Sequence, residues 1–223
     1  MPHVRLQPGT WDLTYEITIS PFGFSLLDAP GRLCDALLEK LAIYDASGED
    51  LHLEDGDPGD RALICDLTDL NAAIVVRGDR VEIRYTDCTL QAPLLRELPV
   101  QIWEAMQAVL PGVRHTSHSV LIEMKAAIVG QHYQEFLNRF APVPAGLPPG
   151  TRTAVVFYLP SDPKVNGEES SLVFNKTGND EFPLQLNATL VYSQLDPANA
   201  VQAVWDRLGG LLGALGLGLP EEQ

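Results

Sequence analysis

The order of secondary-structure patterns in this chain of 223 residues runs twice. Residues 11–110 read as strand, helix, three strands and helix, and residues 118–219 repeat that order. A repeated order constrains the architecture more than a short motif does, because each repeat has to bury the same kind of apolar face against its neighbour. We therefore expect two β-α-β-β-β-α repeats, residues 1–112 and residues 113–223, fused into one compact domain.

Strands of the first repeat are marked by alternation. Apolar residues occupy every odd position from Leu13 to Ile19, which predicts a half-buried strand over residues 12–20. Ser20-Pro21-Phe22-Gly23 ends it. Gly78-Asp79 is the two-residue turn of a hairpin. The other predicted strands of this repeat are 61–68, 72–77 and 80–90, with a short strand at 51–53.

Helices are predicted where apolar residues recur every three or four positions. They cover residues 30–44, 93–110 and 131–140, followed by a final helix that begins at Asp196-Pro197. Asp196 suits the N-cap of that helix and Pro197 its first position. Pro99 lies inside the apolar stripe of the second helix and predicts a kink or a broken first turn.

Strands of the second repeat follow a similar pattern. A long alternating strand is predicted at 118–129 and another at 184–193, with a shorter one at 170–175. Residues 151–159 contain the continuously apolar run TAVVFYL, which is typical of a strand buried on both faces. We therefore predict that 151–159 is a central strand of its sheet.

These elements define an α+β protein in which curved antiparallel sheet is covered by helices on one face. The two sheets can join edge to edge, which removes two exposed strand edges. In the order of its elements the chain resembles the duplicated architecture of TATA-binding-protein-like folds and, more loosely, helix-grip folds. The resemblance covers most of the chain and is topological, with no sequence motif of either family.

The sheet face away from the helices is expected to be polar, and we interpret it as the surface that meets a ligand or partner. Its predicted residues come from alternate positions of four strands: Thr14, Glu16, Thr18, Glu82, Arg84, Thr86, Glu123, Lys125, Gln185, Asn187 and Thr189. Kinking DNA requires clustered cations and inserted apolar side chains, which this set does not supply. The resemblance therefore implies a fold and not the binding of nucleic acid.

Charge also bears on the class of partner. Fifteen Lys and Arg against thirty Asp and Glu give a net charge of −15. This excess opposes binding to nucleic acid or anionic lipid, which need cationic side chains, and suits basic protein partners. The three cysteines have no CxxC spacing and indicate a reducing compartment. No secretory signal or membrane-spanning stretch is visible, so we expect a cytoplasmic protein without a membrane contact.

The segment His115-Thr116-Ser117-His118 has the residue types that most suggest chemistry. Two histidines three apart can share a metal ion when a helix or a turn brings them together. They lie after Pro111-Gly112, at the junction with the predicted strand, and no third ligand is evident nearby, so we interpret them as solvent-exposed linker residues. His115 and His118 remain the candidate catalytic residues. The acidic loop at 54–60 lacks the spacing of a calcium-binding loop, and no nucleotide-binding glycine motif occurs, so we expect no metal and no cofactor.

The sequence thus favours a non-catalytic binding or assembly protein, for example an accessory subunit, that acts through contacts with a protein partner or with itself. The alternative is a domain that binds a small apolar ligand between its curved sheet and a helix. Hydrolase or cyclase activity is an extension of that alternative and requires one of the two histidines in a pocket beside a carboxylate.

Overall fold

The structure is a computed structural model that describes residues 4–23, 27, 30–57, 60–88, 94–148, 151–160 and 170–219. Its strands are β1 Val4–Ser20, β2 Leu51–Glu54, β3 Ala62–Leu67, β4 Ala72–Val76, β5 Arg80–Tyr85, β6 Arg114–Ile128, β7 Val155–Leu159, β8 Ser170–Lys176, β9 Leu184–Tyr192 and β10 Leu217–Gly218. Its helices are α1 Gly31–Leu41, α2 Leu94–Val109, α3 Tyr133–Asn138 and α4 Ala200–Ala214.

The described strands form one mixed sheet in the order β2-β3-β4-β5-β1-β6-β9-β8-β7, in which every neighbouring pair is antiparallel. The short β10 pairs in parallel with the start of β1. The predicted α+β class, with curved antiparallel sheet and helices packed on one face, is confirmed. The sheets of the two halves are joined into one through β1 and β6.

Pairing follows the same rule in both halves of the chain. The first strand of each half, β1 or β6, pairs with the last long strand of that half, β5 or β9, and the strands between them in sequence continue outward. The halves are unequal, because β2 to β5 lie in the first and β7 to β9 in the second. An internal duplication, with a boundary between residues 112 and 113, therefore stays a prediction.

The core lies between the helices and one face of the sheet, which we call the covered face. Alternation puts Leu13, Tyr15 and Ile17 of β1 on it, and all three are fully buried. Helices α1 and α2 pack side by side over the first half. Helix α4 contributes Trp205, whose ring lies 5.3 Å from that of Trp11 on β1.

Two strands differ from their predicted form in ways that matter for function. Residues 151–159 were predicted to form a central strand, and this is wrong: β7 begins at Val155 and is the edge strand of the sheet. An apolar run alone does not distinguish a strand buried on both faces from one whose outer face is apolar for another reason. Strand β6 begins at Arg114, earlier than predicted, and therefore contains both histidines.

Most other predicted boundaries hold to within a few residues, and two strands differ by more. Strand β1 extends back to Val4, past a bulge between Pro8 and Trp11. The predicted strand at 80–90 ends at Tyr85, and its last two residues lie outside the described part of the chain. Pro99 lies within the continuous helix α2 and is buried. Among the described residues, no helix has both the length and the apolar character to cross a membrane.

Candidate functional site

The other face of the sheet, which we call the open face, has no described helix over it. Cross-strand pairing brings the predicted partner-face residues together on it. Thr14 lies opposite Arg84, and Glu16 opposite Glu82, across β1 and β5. On β6 and β9, two further pairs continue the same face: Glu123 opposite Asn187 and Lys125 opposite Gln185. Thr18 and Thr189 share it by alternation along β1 and β9.

Thr86 is the one member that lies beyond a strand, just after the end of β5. Its backbone N–H and its hydroxyl both donate to the backbone oxygen of Asn71, at 2.9 and 3.3 Å. Thr86 therefore closes the end of the β4–β5 hairpin. The structure places the other ten residues on one face, while their role in binding a partner stays a prediction.

In the first half of the chain, the open face is an ion-pair network centred on Glu82. Arg80 donates from Nε to Glu82 at 3.1 Å, and Arg84 donates to the same carboxylate from its Nε at 3.1 Å and also from Nη2. Arg80 also lies 3.6 Å from Glu16. Burial opposes ionisation of Glu82, which is only 8% exposed, but the hydrogen bonds and charges of Arg84 and Arg80 lower its pKa below the ordinary value.

In the second half of the chain, uncharged side chains dominate the open face beyond β6. Gln185 donates to Asn187 at 3.1 Å along β9. On β7, Val156 and Tyr158 point to this face as the cross-strand partners of Val173 and Ser171. Val156 is 45% exposed and Tyr158 is 72% exposed. The open face thus changes from paired charges on β5 and β1 to amides, hydroxyls and exposed apolar groups on β9, β8 and β7.

The two histidines occupy a different place, on the covered face of β6. Ser117 pairs with Thr18, whereas His115 pairs with Ile19, so Thr116 is an extra residue in β6. Residues three apart in a regular strand point to opposite faces, and a bulge of one residue puts them on the same face. His115 and His118 therefore lie together under α2, where Trp103 packs edge-on against His115 at 5.4 Å.

A chain of hydrogen bonds connects this histidine pair to the core. The hydroxyl of Tyr15 lies 2.7 Å from Nδ1 of His118, and Nε2 of His118 lies 3.0 Å from Nδ1 of His115. Burial, followed by the neighbouring His115, lowers the pKa of His118 to about 4. Burial, followed by the charge of Asp196, raises the pKa of Tyr15. Both groups are therefore neutral at pH 7 and stabilise the strand pairing of β1 with β6.

The interpretation of both histidines as solvent-exposed linker residues is therefore wrong for His118, which is fully buried, and His115 is partly buried. The sequence carried a signal for His118, because it continues the even-numbered apolar positions that begin at Val120. It carried none for His115, because the bulge at Thr116 changes its face. Both ring nitrogens of His118 are occupied by Tyr15 and His115, so the pair has the arrangement of a structural group.

Within the described part of the chain, no group of three or more His, Cys, Asp or Glu side chains is arranged to hold a metal ion. A recess of about 200 Å³ lies at the end of β3, and its acidic lining residues are Asp45, Asp50, Asp66 and Asp69, with Tyr44 beside them. A recess lined by four carboxylic acids does not favour an apolar ligand.

Comparisons with known proteins place the chain in no family. No protein-family model matches it, and no curated protein matches it. Similar solved structures include a rolling circle replication initiator protein from Geobacillus stearothermophilus, which is 12% identical with a TM-score of 0.34, the match covering 93% of this chain and 84% of that one. They also include the Methanococcus jannaschii TBP, which is 13% identical with a TM-score of 0.31, covering 93% of this chain and 97% of that one.

An aspartate kinase from Clostridium acetobutylicum is a further match, at 12% identity and a TM-score of 0.22, covering 90% of this chain and 33% of that one. The resemblance in element order to the TATA-binding-protein-like architecture stays a prediction. TM-scores of this size carry no argument about function, which has to come from the chain's own surfaces.

Proposed function

We propose that this chain is a non-catalytic binding or assembly protein and that its partner is another protein, which docks on the second half of the open face. The observation that carries the proposal is the exposure of Val156 and Tyr158 on the outward side of β7. A tyrosine with most of its side chain in solvent, beside an exposed valine, is the kind of anchor that protein interfaces bury.

Charge on the open face supports a protein partner over nucleic acid. The cations Arg80 and Arg84 already bond Glu82, so a polyanion would have to compete with an internal carboxylate for each of them. A net charge of −15 opposes the approach of a polyanion as well. The uncharged surface of β9, β8 and β7 can instead be covered by a protein without desolvating an ion pair.

The test is differential capture by tagged forms of the protein. Wild type is compared with Tyr158→Ser and with Thr189→Arg, which places a long cation in the middle of the open face. The matched control is Ile43→Ser, because Ile43 is 67% exposed and follows α1 in the helical layer. A protein that is captured by wild type and by the control, and at least about tenfold less by both open-face variants, is the expected result.

Two results would overturn the proposal. One is a set of captured proteins that is the same for wild type and for both open-face variants. The other is loss of capture by Ile43→Ser alone, which would place the contact on the helical layer. Circular dichroism and the thermal midpoint of each variant show whether a loss of capture reflects binding or unfolding.

A further inference from the structure

The outer edge of β7 is not paired with any strand in the described part of the chain. The direction in which its backbone groups point follows from one hydrogen bond just beyond the end of β8, where the N–H of Thr177 donates to the backbone oxygen of Pro183 at 2.9 Å. Backbone groups of successive residues in a strand point alternately to its two neighbours. Starting from Thr177, the backbone groups of Phe174, Leu172 and Ser170 therefore point toward β7.

The partners of those three residues on β7 are Val155, Phe157 and Leu159, so these use their backbone groups to bond β8. The remaining two residues, Val156 and Tyr158, direct their N–H and C=O groups to the outer edge. The same two residues carry the exposed side chains of the open face. Val156 and Tyr158 thus combine outward backbone N–H and C=O groups with exposed side chains.

The opposite edge of the sheet differs from β7 in charge. At this edge the alternation starts from the hydrogen bond that the N–H of Arg77 donates to the oxygen of Arg80, between β4 and β5. Followed through β3 to β2, it makes Leu51 and Leu53 the residues whose backbone groups point outward. Strand β2 ends in Glu54, and four of the seven residues in the segment 54–60 are acidic. Charges at an edge oppose the addition of another strand. Strand β7, VVFYL, contains no charged residue.

We infer that two copies of this chain associate by pairing their β7 strands antiparallel about a two-fold axis that passes next to Phe157. In that register Val156 lies opposite the partner's Tyr158, and Tyr158 lies opposite the partner's Val156. All four of these residues have outward backbone groups, so the pairing forms two doubly hydrogen-bonded residue pairs. Each pair also brings a valine against a tyrosine on the open face, which is a favourable cross-strand combination.

This inference rests on the proposed function and names its partner as a second copy of the chain. Both copies use the same two residues in this pairing, because Val156 and Tyr158 lie symmetrically on either side of Phe157. The acidic β2 edge lies eight strand spacings away, about 38 Å along the sheet at about 4.8 Å per spacing. At physiological ionic strength, charges that far apart are screened, because the Debye length is about 8 Å.

The size of the contact sets the expected strength. Five residues of β7 pair in each copy, which buries far less than the roughly 1,600 Å² of a standard interface. We therefore expect a reversible dimer with a dissociation constant in the high micromolar range. Added salt should strengthen it, because two copies that each carry a net charge of −15 repel one another.

The test is sedimentation of the full chain from micromolar to millimolar concentration at low and at moderate salt. Wild type is expected to shift from monomer to dimer, and at lower concentration in the higher salt. Tyr158→Pro removes one outward N–H while leaving every bond between β7 and β8, since proline is tolerated at an edge strand where its nitrogen faces solvent. That variant is expected to remain monomeric over the whole range.

The matched control is Leu53→Pro, which removes an outward N–H from the opposite edge and should dimerise as wild type does. If Tyr158→Pro proves unfolded by circular dichroism, Val156→Lys is used, because it keeps the backbone and places two like charges across the proposed two-fold axis. Wild type that stays monomeric at millimolar concentration overturns the inference, as does a dimer that persists in Tyr158→Pro or Val156→Lys.

The outcome separates this inference from the proposed function. A monomeric wild type that still captures another protein, with the capture reduced by Tyr158→Ser, overturns the second copy as partner and leaves the proposed function standing. A dimer whose formation depends on β7, together with capture unaffected by the open-face variants, supports the inference about β7 and removes a separate protein partner.

Discussion

The two halves of the open face share one sheet and differ in how their polar groups are satisfied. On β5, Arg80 and Arg84 both donate to Glu82, so the charges of this region are already paired within the chain. On β7, Val156 and Tyr158 have exposed side chains and outward backbone groups. A partner that covered the first region would have to desolvate an ion-pair network, whereas one that covered the second would bury apolar surface.

The largest effect on the free energy of unfolding is expected at His118 of β6, the strand between the two halves of the open face. Its pKa is lowered to about 4 in the folded protein from about 6.5 in the unfolded chain. Between these pH values the unfolded state therefore binds more protons than the folded state. The stability that neutral His118 provides is therefore present above about pH 6.5 and is lost progressively down to about pH 4. The loss is about 3 kcal/mol, at 1.36 kcal/mol per pKa unit.

Urea unfolding of wild type and His118→Gln between pH 7.5 and pH 4, the range over which free histidine gains its proton, measures this effect. Glutamine does not titrate, so the difference in unfolding free energy between the two proteins should shrink by about 3 kcal/mol as the pH falls. The matched control variant is His132→Gln, because His132 lies at the N-cap of α3 and is exposed. A difference that stays constant with pH contradicts a buried neutral His118.

A smaller effect is expected from the charged half of the open face. Glu82→Gln removes the charge that Arg80 and Arg84 share, and we expect it to lower the free energy of unfolding by about 2 kcal/mol at pH 7. Because the pKa of Glu82 is lowered, its contribution is present above the ordinary carboxyl pKa and is lost below it, at lower pH than that of His118.

The matched substitution in the second half is Glu123→Gln, on the same face of β6. Glu123 is exposed and lies across from Asp12 and Asn187, so neutralising it should change the unfolding free energy by less than about 0.5 kcal/mol. Chemical denaturation at pH 7 separates the two by the size of the loss. Equal losses in both variants would remove the distinction between the halves.

Two glycines that lie under phenylalanine rings sharpen the comparison further. A Cβ on Gly9 would lie 2.8 Å from Cγ of Phe182, at the root of the ring, whereas a Cβ on Gly78 would meet only Cε1, Cζ and Cδ1 of Phe22. Phe22 is 37% exposed, and the atoms that this Cβ would meet belong to the far part of its ring. We expect Gly9→Ala to cost about 1–2 kcal/mol and Gly78→Ala less than about 1 kcal/mol in thermal or chemical unfolding.

The smallest expected effect on stability comes from the exposed tyrosine of β7. Tyr158→Ser should change the free energy of unfolding by less than about 0.5 kcal/mol, because its side chain is in solvent. The neighbouring Phe157 faces the other way, with its ring 5.4 Å from that of Phe140, and Phe157→Ser should cost about 2 kcal/mol. A large loss of stability in Tyr158→Ser would show that Tyr158 is needed for folding.

Alternation made most of the sheet predictable. The period-two pattern of β1 and β9 fixed which residues are buried, and hence which polar residues share the open face. The order of helices and strands predicted an α+β sheet with helices on one side. Each of these inferences depends on local sequence, which is why the single sequence was sufficient for them.

The remaining features depend on contacts between distant parts of the chain. The edge position of β7 is set by which strands pair, and an apolar run such as VVFYL occurs in central and edge strands alike. The extra residue Thr116 is visible only against its partner strand β1, and without it His115 would be assigned to the open face. The ion pairs of Glu82 are local by contrast, because Arg80 and Arg84 lie two positions away on the same face of β5.

The long pairing of β1 with β6, from Leu6 opposite Ile128 to Ser20 opposite Arg114, has a consequence for how the chain can be divided. A cut between residues 112 and 113 would break one peptide bond and none of the hydrogen bonds in that pairing. Each fragment would then carry a long unpaired edge and half of a hydrophobic core. Such fragments are suited to reconstitution as a two-piece protein, in which each supplies the template on which the other folds.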